Sequence, residues 1–326
     1  MNQVTILGVD ISSGTMITGP FDLFHLAGRL WNGIFGLKES PCFSVEIVNS
    51  DLKPIQCTGA LSILPHRTLD QVDCTDLILI PSIVDINKTL DRHPDVIPWL
   101  LHHHQQGAQI AAMCTGTFIL AETGLLDRKT ATTHWGFTEI FRERYPQVRL
   151  VPERLITDET DLYCCGASNA CFDLSLYLIR KLAGREVALQ TAKAFVCDLD
   201  RFYQSEWAVF RCQKSHRDNL VRRTQKLMEK EYSSLASIQD LAGRAGIGKR
   251  SLERRFKAAT GETPLYYLQR LRVEAAKRMM ETENLPFDQI TYRVGYESPG
   301  YFRRIFKRIC HISPKEYRRK WGPLQL

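Results

Sequence analysis

No apolar run in this 326-residue sequence is long enough to span a bilayer. The longest, such as Leu77–Ile80 and Ile110–Met113, are strand-sized. The opening residues, MNQVTILGVDIS, have no basic segment followed by a long apolar one, so no secretory signal is expected there. The ten cysteines lie singly apart from Cys164-Cys165. No C-x-x-C pair or spaced Cys/His set accompanies them, which argues against a disulfide scaffold or a structural zinc site. His102-His103-His104 then reads as a solvated helix end, and Cys164-Cys165 as strand packing. The expectation is a cytoplasmic chain with reduced thiols, no membrane segment, no metal and no cofactor.

Charge is distributed unevenly. Residues 220–326 hold 23 Lys and Arg against 11 Asp and Glu, a net of +12, whereas residues 1–219 carry a net of −5. The basic excess belongs to the last third, and a polyanion, nucleic acid first, is the partner it implies.

That third contains a repeat. SLERRFKAATGETPLYYLQR (251–270) and YFRRIFKRICHISPKEYRRK (301–320) share Arg254/Arg304, Phe256/Phe306, Lys257/Lys307, Pro264/Pro314, Tyr267/Tyr317 and Arg270/Lys320, all offset by 50. Upstream, Leu241, Ala245 and Gly246 match Ile290, Val294 and Gly295 with an offset of 49. Each unit reads as two short helices and a glycine turn. In the first, Ser237 caps a helix with Ile238, Leu241, Ala242 and Ala245 on one face, AGIG (245–248) breaks it, and a helix over 249–259 buries Leu252 and Phe256. In the second, Pro286 starts a helix, Gly295 makes the turn, and a helix over 298–309 buries Phe302 and Phe306. A helix over 264–282 joins them, with Leu268, Leu271, Ala275 and Met279 as its stripe. Nineteen residues give roughly 28 Å, close to the ~34 Å between successive major-groove faces. Charge alone also fits a solvated basic surface. Duplication, turn glycines and regional charge together select two reading heads.

SIQDLAGRAGIGKRSLERRFKAATGETPLYYLQRLRVEAAKRMM and ITYRVGYESPGYFRRIFKRICHISPKEYRR closely resemble the AraC/XylS-type DNA-binding domain. The resemblance implies base-edge contacts from Arg250, Glu253 and Arg254 in the first unit and from Gly300, Tyr301 and Arg304 in the second. Arg suits guanine O6/N7 and Glu accepts from cytosine N4. Lys249, Lys257 and Lys307 fit phosphate contacts, and Ser251 and Arg303 share the same faces.

Residues 1–200 alternate apolar runs (4–9, 43–49, 77–80, 109–113) with helical patterns (19–35, 95–107, 116–123, 170–182), which predicts an α/β domain with a mostly parallel sheet covered on both faces. In GAQIAAMCTGTFILAETGLL a strand ends at Met113 and a helix begins near Thr115. That puts Cys114 at a nucleophile elbow, where a helix N-terminus lowers a thiol pKa. His134 and Trp135 follow in TATTHWGF. A strand, a turn at Gly166, Ala167 and Ser168, and a helix read from 161–188. Catalysis, ligand lining and plain burial all remain open for Cys114, and His134 is a base or a structural histidine. Asp22 is a candidate contact for a cationic ligand.

MCTGTFILAETGLLDRKTATTHW resembles the PfpI-like, class I glutamine amidotransferase-like superfamily, and the tandem arrangement resembles GlxA-type transcription regulators. The resemblance implies a flavodoxin-like parallel-sheet sandwich followed by an all-α double helix-turn-helix domain. Cys114 and His134 match the enzyme relatives, but Met16 stands where they carry an acid, and an unassisted Cys is a poor hydrolase. The expectation is a non-catalytic sensor domain (1–196) whose ligand site draws on Cys114, Thr115, His134, Trp135, Gly166, Ala167 and Asp22. A linker (197–219) with Phe202, Tyr203, Trp207 and Phe210 as candidate hinge aromatics leads to a reader domain (220–326). The chain would bind promoter double-stranded DNA in a bacterial cytosol at the nucleoid, as an activator, with RNA polymerase and a second copy of itself as partners. Its ligand would be a nitrogen-containing metabolite such as an amino acid or a quaternary amine. The rival readings are a Cys-dependent amidase, deglycase or protease with a DNA-binding tail, and a ligand-independent architectural protein.

Overall fold

Strand-length apolar runs without alternating polar residues need a sheet covered on both faces. The computed structural model describes residues 1–198, 203–205, 208, 210, 214, 216–235 and 237–323, in two compact units, Met1–Gln204 and Ser205–Leu326. Of the candidate hinge aromatics, Phe202 and Trp207 lie outside the described residues.

In the first unit β1 (Asn2–Leu7), β2 (Phe43–Asn49), β3 (Arg67–Thr68), β4 (Leu77–Ile80), β5 (Gln109–Met113), β6 (Ile156–Asp158) and β7 (Leu162–Cys165) form one sheet in the order β6-β7-β5-β4-β1-β2-β3. All neighbours are parallel except β6 and β7, and the register sets Val4 beside Val45 and Leu77. Alternate side chains enter two cores. Val4, Ile6, Leu77, Leu79, Ala111, Met113 and Tyr163 join one, and Leu7, Ile78, Ile80, Ile110, Ala112 and Leu162 the other. Eight helices accompany the described strands: α1 (Thr15–Leu26), α2 (Leu30–Ile34), α3 (Ile86–Arg92), α4 (Val96–Gln105), α5 (Thr117–Glu122), α6 (Thr138–Arg144), α7 (Ala170–Ala183) and α8 (Arg185–Phe195). Residues of α1, α7 and α8 complete the first core, and those of α4, α5 and α6 the second.

Two expectations change. The helix read over 19–35 is α1 and α2, parted where Ala27 turns extended and Gly28 takes φ +79°. The three histidines are not a uniformly solvated end. Val96, Trp99, Leu100 and His103 form the inner face of α4, so His103 is buried against Trp99 with ring centroids 4.6 Å apart. His104 is half-buried, its Nε2 3.4 Å from Asp161.

The second unit holds α9 (Asn219–Glu231), α10 (Ile238–Arg244), α11 (Lys249–Thr260), α12 (Pro264–Thr282), α13 (Phe287–Arg293), α14 (Pro299–Cys310) and α15 (Pro314–Trp321). Val221, Met228, Leu241, Leu252, Phe256, Tyr267 and Leu268 build one core, with Phe210 in it. Val273, Ala276, Met280, Ile290, Phe302, Phe306 and Tyr317 build the other. Helix α12 covers the residues expected, but of the predicted stripe only Leu268 is buried. Leu271, Ala275 and Met279 are only partly buried. A helix serving two cores turns different faces inward at its two ends, Tyr267 and Leu268 to one and Val273, Ala276 and Met280 to the other.

Candidate nucleic-acid interface and elbow site

Helices α10 and α11 meet at a turn where Gly246 takes φ +71°, and α13 and α14 at one where Gly295 takes φ +90°. The Ser237 hydroxyl caps α10 by accepting from the Asp240 amide at 3.1 Å, and Ser298 caps α14 by accepting from Tyr301 at 3.3 Å. Leu252 and Phe256 on α11, and Phe302 and Phe306 on α14, are fully buried, which turns the opposite faces to solvent. Lys249, Arg250, Ser251, Arg254 and Lys257 are exposed on α11, with Glu253 half-buried beside them. Tyr301, Arg303, Arg304 and Lys307 are exposed on α14, and Gly300 adds backbone only.

These cations differ in commitment. Arg303 is held by Asp288 and lies 5.5 Å over the Phe287 ring, so it braces α14 against α13. Arg304 lies 5.8 Å over Tyr301. Arg255 pairs with Asp218, and Arg308 donates to Gln269 at 2.6 Å. Among the described residues no ion pair holds Lys249, Arg250, Arg254, Lys257 or Lys307. Sequence reading passed over a further basic group. Arg222, Arg223 and Lys226 on α9, with Lys214, line a groove of about 670 Å³. Its signal was three basic residues spaced i, i+1, i+4 on one helix.

In the first unit Cys114 follows β5 and takes φ +56°, a left-handed conformation that is strained for a residue with a side chain. The elbow is formed as expected, but the thiol shift is opposite. Cys114 is only 5% exposed, and burial pushes its thiol above the ordinary value despite contacts from Thr115 and from Ser168, whose Oγ is 4.0 Å away. Desolvation of the thiolate outweighs these short-range contacts. Thr115 is engaged locally: its hydroxyl donates to Ile83 O and accepts from the Ile83 amide at 2.9 Å. Thr133 Oγ1 donates to Cys114 O at 2.8 Å, tying the elbow to the segment that leads into His134. His134 Nδ1 accepts from the Gly136 amide at 3.1 Å and its ring stacks on Trp135 at 5.1 Å. Met16 is fully buried in the same apolar cluster as Cys114. Ala167 packs at the margin of that cluster, whereas Asp22 is exposed on α1, and among the described residues no hydrogen bond or ion pair joins it to the elbow.

Two features carried no local sequence signal. Gln204 is 1% exposed and lies against Gly166, where an added Cβ would sit 2.1 Å from its Nε2. A cavity of about 550 Å³ opens at the carboxyl ends of β1 and β2. Asp10, Ser50, Arg92 and His93 are among its lining residues, and His93 Nε2 lies 3.9 Å from Asp10.

Comparison with known proteins agrees with this division. A DJ-1/PfpI family model matches residues 36–181, and a helix-turn-helix domain model matches 241–320. The HTH-type transcriptional regulator CdhR of Pseudomonas aeruginosa is 28% identical over 279 residues, covering 84% of this chain and 81% of its own. Isonitrile hydratase of Pseudomonas putida is 25% identical over 174 residues, 53% of this chain and 68% of its own. A crystal structure of an AraC family transcriptional regulator from Pseudomonas putida superposes with TM-score 0.51 at 18% identity, over 60% of this chain and all of the other.

Proposed function

Starting from a chain that carries a DJ-1/PfpI-family domain ahead of an AraC-type helix-turn-helix domain, we propose a transcription regulator in which a small molecule bound by the first domain governs promoter binding by the second. The DNA-binding regulator rests on one observation above the others. Two matching helix pairs, buried through Leu252/Phe302 and Phe256/Phe306, present exposed cationic faces on α11 and α14. Arg250, Glu253, Arg254, Tyr301 and Arg304 are the proposed base readers, and Lys249, Ser251, Lys257, Arg303 and Lys307 the backbone contacts.

Residues 1–196 are the proposed sensor, 197–219 the linker and 220–326 the reader. The ligand is a nitrogen-containing metabolite held near Cys114, Thr115, His134, Trp135, Gly166, Ala167 and Asp22. Ligand selects the arrangement whose heads match the operator spacing. Activation through RNA polymerase, as a homodimer in the cytosol, completes the proposal. It is tested by genome-wide recovery of DNA on the purified protein, with and without a metabolite pool. A bipartite motif with half-sites about 10 base pairs apart, and occupancy that changes with the pool, is the expected result. Recovery without a motif, collapsing with salt alone, would leave the basic third as an electrostatic anchor.

A second reading, a Cys-dependent hydrolase or hydratase, is favoured by the strained elbow at Cys114 and by the isonitrile hydratase relative. The raised thiol pKa and Met16 stand against it. Turnover of an amide, aldehyde or isonitrile that vanishes in Cys114→Ser would establish it.

A further inference from the structure

The carboxamide of Gln204 is a poor match for the place it occupies. Its Nε2 lies 3.3 Å from Thr132 Oγ1, 3.0 Å from Thr133 O and 3.3 Å from Arg154 O. The Thr132 hydroxyl spends its own proton on Arg154 O at 2.8 Å, so toward Nε2 it acts as an acceptor. Three acceptors therefore converge on a nitrogen with two protons. The other end of the group, Oε1, is buried with no hydrogen-bond partner. A buried amide left half-satisfied in this way is costly. The space exists because residue 166 is glycine.

The backbone of the same segment meets residues 153 and 154. Gln204 N donates to Glu153 O at 3.1 Å, and Tyr203 makes an isolated antiparallel bridge to Arg154. Gln204 is the last residue of the first compact unit, and Ser205 begins the second. One of its acceptors, Thr133, is the residue that braces the Cys114 carbonyl.

We propose that Thr132 Oγ1, Thr133 O and Arg154 O form a binding site for the primary ammonium group of a small ligand, that Gln204 is its built-in occupant, and that the ligand displaces Gln204 and frees the 203–205 strap leading into the DNA-binding unit. An –NH3⁺ group supplies three donors to three acceptors and brings no orphan oxygen. An amino acid carries its counter-charge with it, which offsets burying the cation. A quaternary amine has no N–H to give, so within the class of nitrogen metabolites the site selects against full N-methylation. This inference rests on ligand control by the first domain.

The test uses the full chain, wild type, Gln204→Ala and the near-isosteric Gln204→Met, with two matched probe pairs: ethanolamine and choline, and glycine and its N-trimethyl derivative. Binding is followed by calorimetry, and the strap by the rate of proteolytic cleavage within 197–219. In the wild type the primary amines should speed cleavage and the methylated partners should not. Gln204→Ala should bind the primary amines at least tenfold more tightly and be cleaved fast without any probe. Gln204→Met, which fills the space but donates nothing, should also be cleaved fast, and this separates lost hydrogen bonds from lost bulk. Equal binding of methylated and primary amines, unchanged affinity in Gln204→Ala, or no binding to any of the three proteins would overturn the proposal. If a metabolite pool still shifts promoter occupancy in that event, ligand control stands and only the ammonium site falls. If the pool shifts nothing, both fall.

Discussion

Arg254 and Arg304 stand at the same place in the two repeats, yet their surroundings differ. Arg304 lies over the Tyr301 ring, whereas Arg254 is exposed with no ion pair among the described residues. Arg254→Ala should therefore cost about 1–3 kcal/mol on the specific operator and relax preference at one base pair, with little change on random DNA. Competition titrations on both DNAs check this, and an equal loss on each would make Arg254 a phosphate contact. Thiol chemistry is the second residue-scale case. Cys74 is exposed, whereas Cys114 is buried with its thiol pushed up. At pH 7.5 iodoacetamide should label Cys74 well before Cys114, read by peptide mass mapping. Preferential labelling of Cys114 would show an activated elbow.

At the scale of elements, the two turns look interchangeable in sequence and are not so in space. Both glycines have positive φ, but a Cβ on Gly246 would meet nothing within 4 Å, while one on Gly295 would lie 2.2 Å from Ser233 O. Gly246→Ala should cost only the left-handed strain, about 1 kcal/mol. Gly295→Ala must also push the 294–296 turn away from Ser233 and should cost roughly twice that or more. Urea unfolding followed by circular dichroism decides the matter, and equal losses would mean the second turn relaxes freely. Helix spans were legible for a related reason: Pro264, Ser237 and Gly261 are local start and stop signals. The buried faces of α12 were less so, because which of its faces is inward depends on two cores assembled from distant helices.

For the molecule as a whole, charge and buried thiols set the response to solution conditions. The exposed cations of the second unit predict steep salt dependence, and Lys257→Ala with Lys307→Ala together should reduce the log–log salt slope by about 2 if each meets a phosphate. An unchanged slope would place both lysines away from the DNA. In the first unit, burial pushes the thiols of Cys164 and Cys171 up to about 11 and about 12, and that of Cys165 well above its usual value. Below about pH 9 folded and unfolded chains both keep these protons; above it the unfolded chain loses them first, so stability falls as pH rises toward the folded-state values. The slope is about 1.4 kcal/mol per pH unit for each such thiol. Urea midpoints at pH 8 and pH 10 should show the decline, and it should be shallower in Cys171→Ala. Identical slopes would mean that Cys171 ionises alike in both states.

What the sequence by itself determined is whatever depends on neighbours along the chain. The 50-residue repeat, the turn glycines, the apolar runs of β2, β4 and β5 and the elbow at Cys114 are local patterns, and local backbone preference and periodicity are enough to read them. Tertiary structure alone decided what depends on contacts between distant segments. Asp218 takes Arg255 out of the pool of free cations. Burial rather than a helix end sets the Cys114 thiol. Gln204 reaches Thr133 across 71 residues of sequence, a pairing that no local period encodes because it exists only once the sheet has placed both ends side by side.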